Sequence, residues 1–501
     1  MIDEFLESAL KKLKDKRFFD DLIINRGIEK EFFRVSHDGK ISKKSHPESL
    51  GSALTNKFIT TDFAEAQIEL VTPVFQNIDE LYNFLLSLHV YVSKNIDKKE
   101  IIWPFSMPPA IENEADINLG YYHKSNIGLL KHVYRKGLRV RYGSIMQCVS
   151  GMHYNFSLDT GSLEKLTSDK SRSSLDEAYL GLIRNFKRMF WFVLSEFGQT
   201  NIVDKSFVKN RSHRLDKLND NDMYLKYATS LRMSDIGYVS DAQRNLNIKY
   251  NSLDGFLRKI KDAITVPYSE FQQKKLKDAD GEYHQISDGI IQIENEYYDS
   301  IRPKRSSFDS SRPYDLLKKN GIEYLEIRGI DIDPHELTGI SKHHIALLDL
   351  ILIYCLIIPS PKISKEEKLE IDKNDEATIY EGRNEGTRIF YNSEYRYLVE
   401  EKENIYESLE KLASFFKDSN DLMQSIDYVK NYKKGEIGND SFQNVGIMRA
   451  LSFDKKYKSF YNLNTDGIEK EAELSLDLLG KIPINSEQEM NEYIKNYNMR
   501  L

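Results

Sequence analysis

Five short segments of this chain alternate polar and apolar residues with a period of two, and their polar sides carry carboxylates. In IEKEFF (28–33), Glu29, Glu31 and Phe33 point one way and Ile28, Lys30 and Phe32 the other. In EAQIELV (65–71), Glu65, Gln67 and Glu69 share a face against Ala66, Ile68 and Leu70. MHYNFS (152–157) sets His153, Asn155 and Ser157 against Met152, Tyr154 and Phe156. IQIENEYY (291–298) places Gln292, Glu294, Glu296 and Tyr298 together, and YLEIR (324–328) opposes Glu326 and Arg328 to Leu325 and Ile327. Period two is the signature of a strand with one buried face. One such strand is an ordinary half-exposed strand. Five with Glu, His, Gln, Asn and Arg on the polar side describe one sheet with a functional face.

Carboxylates at i and i+2 repel one another unless a cation sits between them. A cluster of hard oxygen ligands without thiolates suits Mg²⁺ or Mn²⁺. Only two cysteines occur, Cys148 and Cys355, too few for a disulfide framework or a four-thiolate zinc site, and a reducing cytoplasm is the natural compartment. Cys148 is expected to be a buried structural thiol on the strand face opposite Gln147 and Val149.

Carboxylates that hold Mg²⁺ beside Arg and Lys are the recurring equipment of phosphoryl transfer. The glycine-rich phosphate loops are missing: neither G-x-x-x-x-G-K-[ST] nor G-x-G-x-x-G occurs. A nucleotide would therefore be held by sheet, metals and basic side chains. IRPKR (301–305) offers Arg302, Lys304 and Arg305, and KHVYRKGLRVRYG (131–143) offers Lys131, Arg135, Lys136, Arg139 and Arg141. Taken alone, each basic run reads as a solvated face. His123, His284, His343 and His344 lack ligand spacing, and no G-x-S-x-G elbow occurs.

The rest of the 501 residues bounds the answer. A formal net charge of −7 argues against a dedicated nucleic-acid binder. The run 345–358 is strongly apolar but carries Asp349 and is short of the ~20 residues a membrane span needs, so a buried core helix is expected. The N-terminal MIDEFLESALKKLKDK has no apolar signal-peptide region. Its Ile2, Phe5, Leu6, Ala9, Leu10 and Leu13 follow helical spacing, as in an amphipathic docking helix. Beyond 345 the chain reads as mostly helical and highly charged, ending in a solvated helix. No linker marks a boundary, so 1–501 is expected to form a single catalytic domain. In it, 20–345 carries the active-site sheet and 346–501 is its helical elaboration.

RGIEKEFFRV, HPESLGSALTNKFITTDFAEAQIELVTP, WPFSMPP, YRKGLRVRYGSIMQCVSGMHYNFS, YATSLRMSDIGY, QIENEYYDSIRPKR and GIEYLEIRGIDIDP resemble the glutamate–cysteine ligases of proteobacterial type, over roughly residues 20–345. The resemblance implies an α+β fold similar to glutamine synthetase: a curved, mainly antiparallel sheet whose polar face forms a funnel, with helices outside. It implies ATP-dependent joining of the γ-carboxylate of L-glutamate to the amine of L-cysteine through γ-glutamyl phosphate, the first step of glutathione synthesis. By motif, Glu29, Glu31, Asp62, Glu69, His153 and Glu326 look like the Mg²⁺ ligands (Mn²⁺ is an alternative). Arg328 looks like the partner of the transferring phosphoryl group, with Arg302 and Lys304 also facing ATP. Arg232 looks like a substrate-carboxylate clamp. Phe63, Tyr134, Leu138, Gln147, Val149, Tyr238 and Tyr298 match the cysteine pocket. Glutathione is implied as feedback inhibitor, and a monomer is expected, with no nucleic acid and no membrane. RGIDIDP departs from the family's commoner RSLDINP at Gly329 and Asp333, beyond the phosphate-facing residues. A related carboxylate–amine ligase with another amine, and a metal-stabilised non-catalytic protein, are the competing readings; the intact acidic set weighs against the second.

Overall fold

The computed structural model describes the chain outside residues 1, 168, 238–239, 307–310, 392–393 and 433–439, and outside the side chains of 2–4, 241 and 500. Its centre is an open antiparallel sheet of seven strands: β1 (Ile24–Ser36), β2 (Ile59–Thr61), β3 (Gln67–Val71), β4 (Glu100–Ile102), β5 (Met152–Leu158), β6 (Ile301–Lys304) and β7 (Tyr324–Ile330). The strand order is β2-β3-β1-β5-β7-β6, with β4 paired to the far end of β1. Four of the five expected strands are present. β6 adds an edge strand, where Pro303, which lacks an N–H, is tolerated.

The register aligns the acids. Glu31 pairs with Glu69 across β1–β3, Glu29 with His153 across β1–β5, and Glu326 with both Asn155 and Arg302. Because side chains alternate, all of these leave the sheet on one side. The other side is apolar: Ile28, Phe32, Ile68, Tyr154, Phe156, Leu325 and Ile327 enter the main core. Lys30 is the exception there, buried with its Nζ 2.8 Å from His89 Nε2.

Two long helices cover that apolar side, Arg172–Phe197 and Lys342–Ile357. The second is the apolar run, and it is buried on nearly all sides, which is why its residues show no polar face. Its one acid is explained by its partners. Asp349 accepts from Arg26 Nε at 2.7 Å and from Tyr154 OH at 2.6 Å, tying the helix to β1 and β5. Among the described residues no helix is long and apolar enough to cross a membrane.

The N-terminal helix, Ile2–Asp15, buries Leu6, Leu10 and Leu13 as expected and leaves Phe5 exposed; the side chain of Ile2 lies outside the described residues. After 345 the chain is mostly helical, interrupted by the hairpin Arg388–Tyr391 and Glu394–Tyr397. The same apolar core runs from Leu6 to Ala472, so both sides of residue 345 share it. The closing helix, Glu487–Tyr497, is less solvated than expected. Met490 and Ile494 are buried, and Ile494 packs with Leu130 and Val133 of the helix Asn126–Tyr142.

Candidate active site

The polar face of the sheet forms the floor of a cavity of about 270 Å³, and the helix Asn126–Tyr142 forms one wall. Glu29, Glu31, Asp62, Glu69, His153 and Glu326 all line it, as do Arg302, Lys304 and Arg328. Asp62 arrives from the turn after β2; the others stand on strands.

The acids fall into two groups. Glu326 is enclosed by cations. Arg302 donates to its Oε2 through Nε at 2.8 Å and through Nη2 at 2.6 Å; Lys304 Nζ lies 3.4 Å from Oε1, and Arg328 Nη1 3.3 Å from Oε2. Burial alone would raise this carboxyl, but Arg302, Lys304 and Arg328 hold it well below the usual range. Glu29 accepts from Asn155 Nδ2 at 2.9 Å, and its Oε2 lies 3.1 Å from His153 Nδ1. Burial opposes its ionisation, yet the His153 hydrogen bond keeps it below its ordinary value. His153 itself is pushed down by burial and by Arg328, so it is a neutral imidazole able to ligate a metal.

Glu31 and Glu69 are the second group. Glu31 accepts from the Gly151 amide at 2.8 Å, but burial and Asp62 push it up to about 8. Glu69 is raised well above the carboxylate range by burial and then by Glu29, Asp62 and Glu31. Two buried acids that repel each other in this way ionise together only with a cation between them. One ligand atom each from Glu29, Glu69 and His153 lies within 4.8 Å of the others. Oxygen donors with one imidazole fit Mg²⁺ or Mn²⁺.

Part of the cavity wall is of another kind. Tyr134, Leu138, Gln147, Val149 and Tyr298 line it, with Tyr298 OH 3.2 Å from Gln147 Oε1.

Residues 9–378 match the family model described as glutamate-cysteine ligase. The glutamate–cysteine ligase of Buchnera aphidicola is 38% identical over 94% of this chain and 96% of its own. That of Serratia proteamaculans is 43% identical over 73% and 71%. A crystal structure of the Francisella tularensis glutamate–cysteine ligase, solved in complex with AMP, superposes with a TM-score of 0.89 at 31% identity, covering 96% of this chain and 98% of that one.

The chain belongs to the glutamate–cysteine ligase family.

It is thus an ATP-dependent ligase that makes γ-glutamylcysteine for glutathione synthesis, as the resemblance implied. The likeness also reaches past residue 345, where the motifs alone gave little.

Two residues expected at a glutamate–cysteine ligase site, Arg232 and Phe63, are buried and do not line the cavity. Arg232 is 1% exposed: Nε donates to Asp331 at 2.8 Å and Nη2 to the carbonyls of Arg328 and Ile330. Its charge, after that of Arg328, partly opposes the rise of Glu31. Phe63 does not line the cavity itself but is buried in the apolar cluster that also holds Leu138 and Val149 of the cavity wall. Tyr238 lies outside the described residues.

The strand expected over 291–298 is instead a short turn, Glu294–Glu296. Its acids are spent on anchoring. Glu296 pairs with Arg141 at 3.2 Å and takes the Gln292 amide at 2.8 Å, while Glu294 pairs with Arg312. The cavity receives Ile293, Asn295 and Tyr298, so the expected faces of this segment are largely exchanged. Glu65 and Gln67 also leave the site: Glu65 accepts the amides of His46 and Tyr121, and Gln67 donates to the Val149 carbonyl. Cys148 is buried as expected but sits on the turn Ile145–Cys148, not on a strand.

Lys131 and Arg135, read from sequence as part of a solvated basic run, also line the cavity. The spacing 131, 134, 135, 138 was the available signal, since Tyr134 and Leu138 mark that face.

Proposed function

We propose a division of labour within this cavity. Glu29, Glu31, Asp62, Glu69, His153 and Glu326 hold Mg²⁺ or Mn²⁺, which when bound supplies the positive charge that offsets the phosphates of ATP. Arg328, with Arg302 and Lys304, faces the transferring phosphoryl group. An oxygen of the glutamate γ-carboxylate forms the new bond to the γ-phosphorus, and the bond to the ADP oxygen breaks. Arg328 stabilises charge on the phosphoryl oxygens as this happens. The cysteine amine then bonds to the acyl carbon, losing a proton as phosphate leaves. Tyr134, Leu138, Gln147, Val149 and Tyr298 enclose the cysteine side chain and exclude water from the acyl phosphate. The AMP bound by the Francisella relative supports a nucleotide in this cavity.

The observation that carries the reading is the pairing of Glu31 with Glu69 and of Glu29 with His153 on one sheet face, beside three cations gathered on Glu326. Glutathione contains both the γ-glutamyl and cysteinyl parts of the product, which supports competitive feedback inhibition at the same cavity. A thiol substrate and two free buried cysteines support a cytoplasmic enzyme. The shared core from Leu6 to Ala472 supports one catalytic domain over 1–501. The monomer expectation is checked by light scattering on the purified protein.

ADP release with Mg-ATP and L-glutamate, adding L-cysteine, 2-aminobutyrate or ammonia in turn, tests the whole. L-cysteine should stimulate release most. Equal stimulation by ammonia would overturn the assignment of the amine pocket.

A further inference from the structure

The helix Asn126–Tyr142 presents Lys131, Tyr134, Arg135 and Leu138 to the cavity, spaced so that all four share one helix face. Two of these are cations, and the structure treats them differently. Arg135 is fully engaged with backbone: Nε donates to the Asp62 carbonyl, Nη1 to the Lys131 carbonyl at 2.9 Å and Nη2 to the Thr61 carbonyl at 3.2 Å. It builds the turn that presents Asp62. Lys131 builds nothing. Its Nζ stands 5.0 Å from the centroid of the Tyr122 ring, and that ring is fixed by Tyr122 OH donating to the Thr61 carbonyl at 2.8 Å. Among the described residues, Nζ meets no carboxylate at ion-pair distance and no hydrogen-bond acceptor. An ammonium has three donors to satisfy; Glu69 attracts this one without bonding it, so an anion that enters the cavity supplies a direct partner.

The other cations of the cavity indicate which anion that is. Arg302, Lys304 and Arg328 all gather on Glu326, at the β6–β7 edge of the sheet. They serve the phosphates. Lys131 lines the cavity with Asp62 and Glu69, which belong to the β2–β3 edge, on the helix face that also carries Tyr134 and Leu138. Beside the acceptor wall of Tyr134, Leu138, Gln147, Val149 and Tyr298, Arg135 stands 6.0 Å from the centroid of the Tyr134 ring, but its guanidinium already donates to three backbone carbonyls. An α-amino acid acceptor brings a carboxylate that needs a cation, while its amine must stay unpaired to attack.

We propose that Lys131 binds the carboxylate of the acceptor amino acid and thereby selects an α-amino acid over a simple amine with the same side chain. The proposal rests on the placement of the acceptor in the Tyr134–Tyr298 wall. A compact point charge on a flexible stem suits this task, because a carboxylate must be gripped without fixing the neighbouring amine.

The test compares L-cysteine with cysteamine, and 2-aminobutyrate with propylamine, as acceptors for the full chain with Mg-ATP and L-glutamate. Each pair differs by one carboxylate. In Lys131→Met the ratio of kcat/KM for L-cysteine over cysteamine should fall by about 10- to 100-fold, the range for losing one charge-assisted contact. KM for L-cysteine should carry the change, with KM for glutamate and ATP nearly constant. Lys131→Arg should restore part of the ratio. If Lys131→Met does not fold, Lys131→Gln carries the same comparison. An unchanged ratio with equal losses for both acceptors would overturn the proposal and make Lys131 a counter-charge to the acidic floor. A rise in KM for glutamate alone would also overturn it. Absence of glutamate-dependent ADP release in the unmodified protein would instead sink the underlying functional reading.

Discussion

Glu31 and Glu69 face one another across the β1–β3 ladder, two carboxylates at paired positions on the same side of one sheet. Without a cation, burial and Asp62 raise Glu31 from 4.5 to about 8, and burial with three acidic neighbours raises Glu69 well above the carboxylate range. A raised folded-state value means that the protonated acids contribute stability that is complete below the unfolded value and is lost as pH rises through the folded one. The metal-free protein should therefore melt at progressively lower temperature as pH rises from about 5 to about 8.5. Mg²⁺ should raise the melting temperature more at the upper end than at the lower. Thermal melts in EDTA and in MgCl₂ across that range check this; a Mg²⁺ effect independent of pH would contradict it.

The two groups of acids should respond differently to loss of charge. Glu69→Gln removes a repelled carboxylate, so the apo fold should hold or gain slightly while kcat falls by roughly two orders of magnitude or more. Glu326→Gln breaks a bidentate buried pair with Arg302 and leaves that cation uncompensated. It should lose activity and also about 3–5 kcal/mol of stability. Denaturant unfolding beside steady-state kinetics separates the two. Equal destabilisation by both substitutions would refute the distinction.

Arg328 stands two residues after Glu326, so both side chains leave β7 on the same side, with Nη1 also 3.5 Å from His153 Nδ1. A group that stabilises charge developing in the transition state shows its loss in kcat more than in KM. Arg328→Lys keeps the charge and loses the planar fork, so kcat should fall at least about 100-fold with the melting temperature little changed. A stable variant with near-normal kcat would make Arg328 a structural ion pair.

The strands that carry the acids were legible because alternation and burial coincide there: Glu29, Glu31, Glu69, His153 and Glu326 were each assigned to the face they occupy. Segment 291–298 alternates as well, yet it folds as a turn. Its acids bond Arg141, more than a hundred residues earlier, and Arg312, in the loop after β6, and the alternation contains no trace of them. Arg232 shows the same limit. Its motif is intact, but its burial depends on Asp331, which comes from another part of the chain. Lys131 and Arg135 were hidden by composition, since a basic helical run in a lysine-rich chain resembles any solvated face. Asp349 in its apolar helix was visible as an anomaly; its explanation, Arg26 and Tyr154, required the tertiary fold.

Cys148 is fully buried, and its thiol donates to the Ser144 carbonyl at 3.3 Å. Burial and Glu114 push its ionisation far above the range of a reactive thiolate. Cys148→Ala should remain active, with a packing loss of about 1–2 kcal/mol. Iodoacetamide should leave the native protein's activity intact on the same grounds. A folded but inactive Cys148→Ala enzyme would restore a nucleophilic role for this thiol.

Asp349 is buried in the helix Lys342–Ile357 and receives Arg26 Nε and Tyr154 OH. These partners flank the site without entering it: Tyr154 adjoins His153 on β5, and Arg26 lies three residues before Glu29 on β1. Asp349→Ala would leave the Arg26 guanidinium buried without its carboxylate, held by the carbonyls of Ile24 and Gln76 and by the Tyr154 hydroxyl. Removing one partner of a buried pair costs about 3–5 kcal/mol, whereas replacing both by apolar groups of similar volume is often neutral or stabilising. Asp349→Leu combined with Arg26→Met should therefore recover most of the stability that Asp349→Leu loses alone. Urea unfolding of the two single variants and the double variant measures the coupling. Activity of the double variant should stay within a few-fold of the unmodified enzyme, because the apolar side of the sheet needs only to hold β1 and β5 in register. A double variant as unstable as the sum of its singles would show that the triad is not one energetic unit. A stable double variant with collapsed kcat would show that the ion pair transmits a constraint to Glu29 and His153 beyond register.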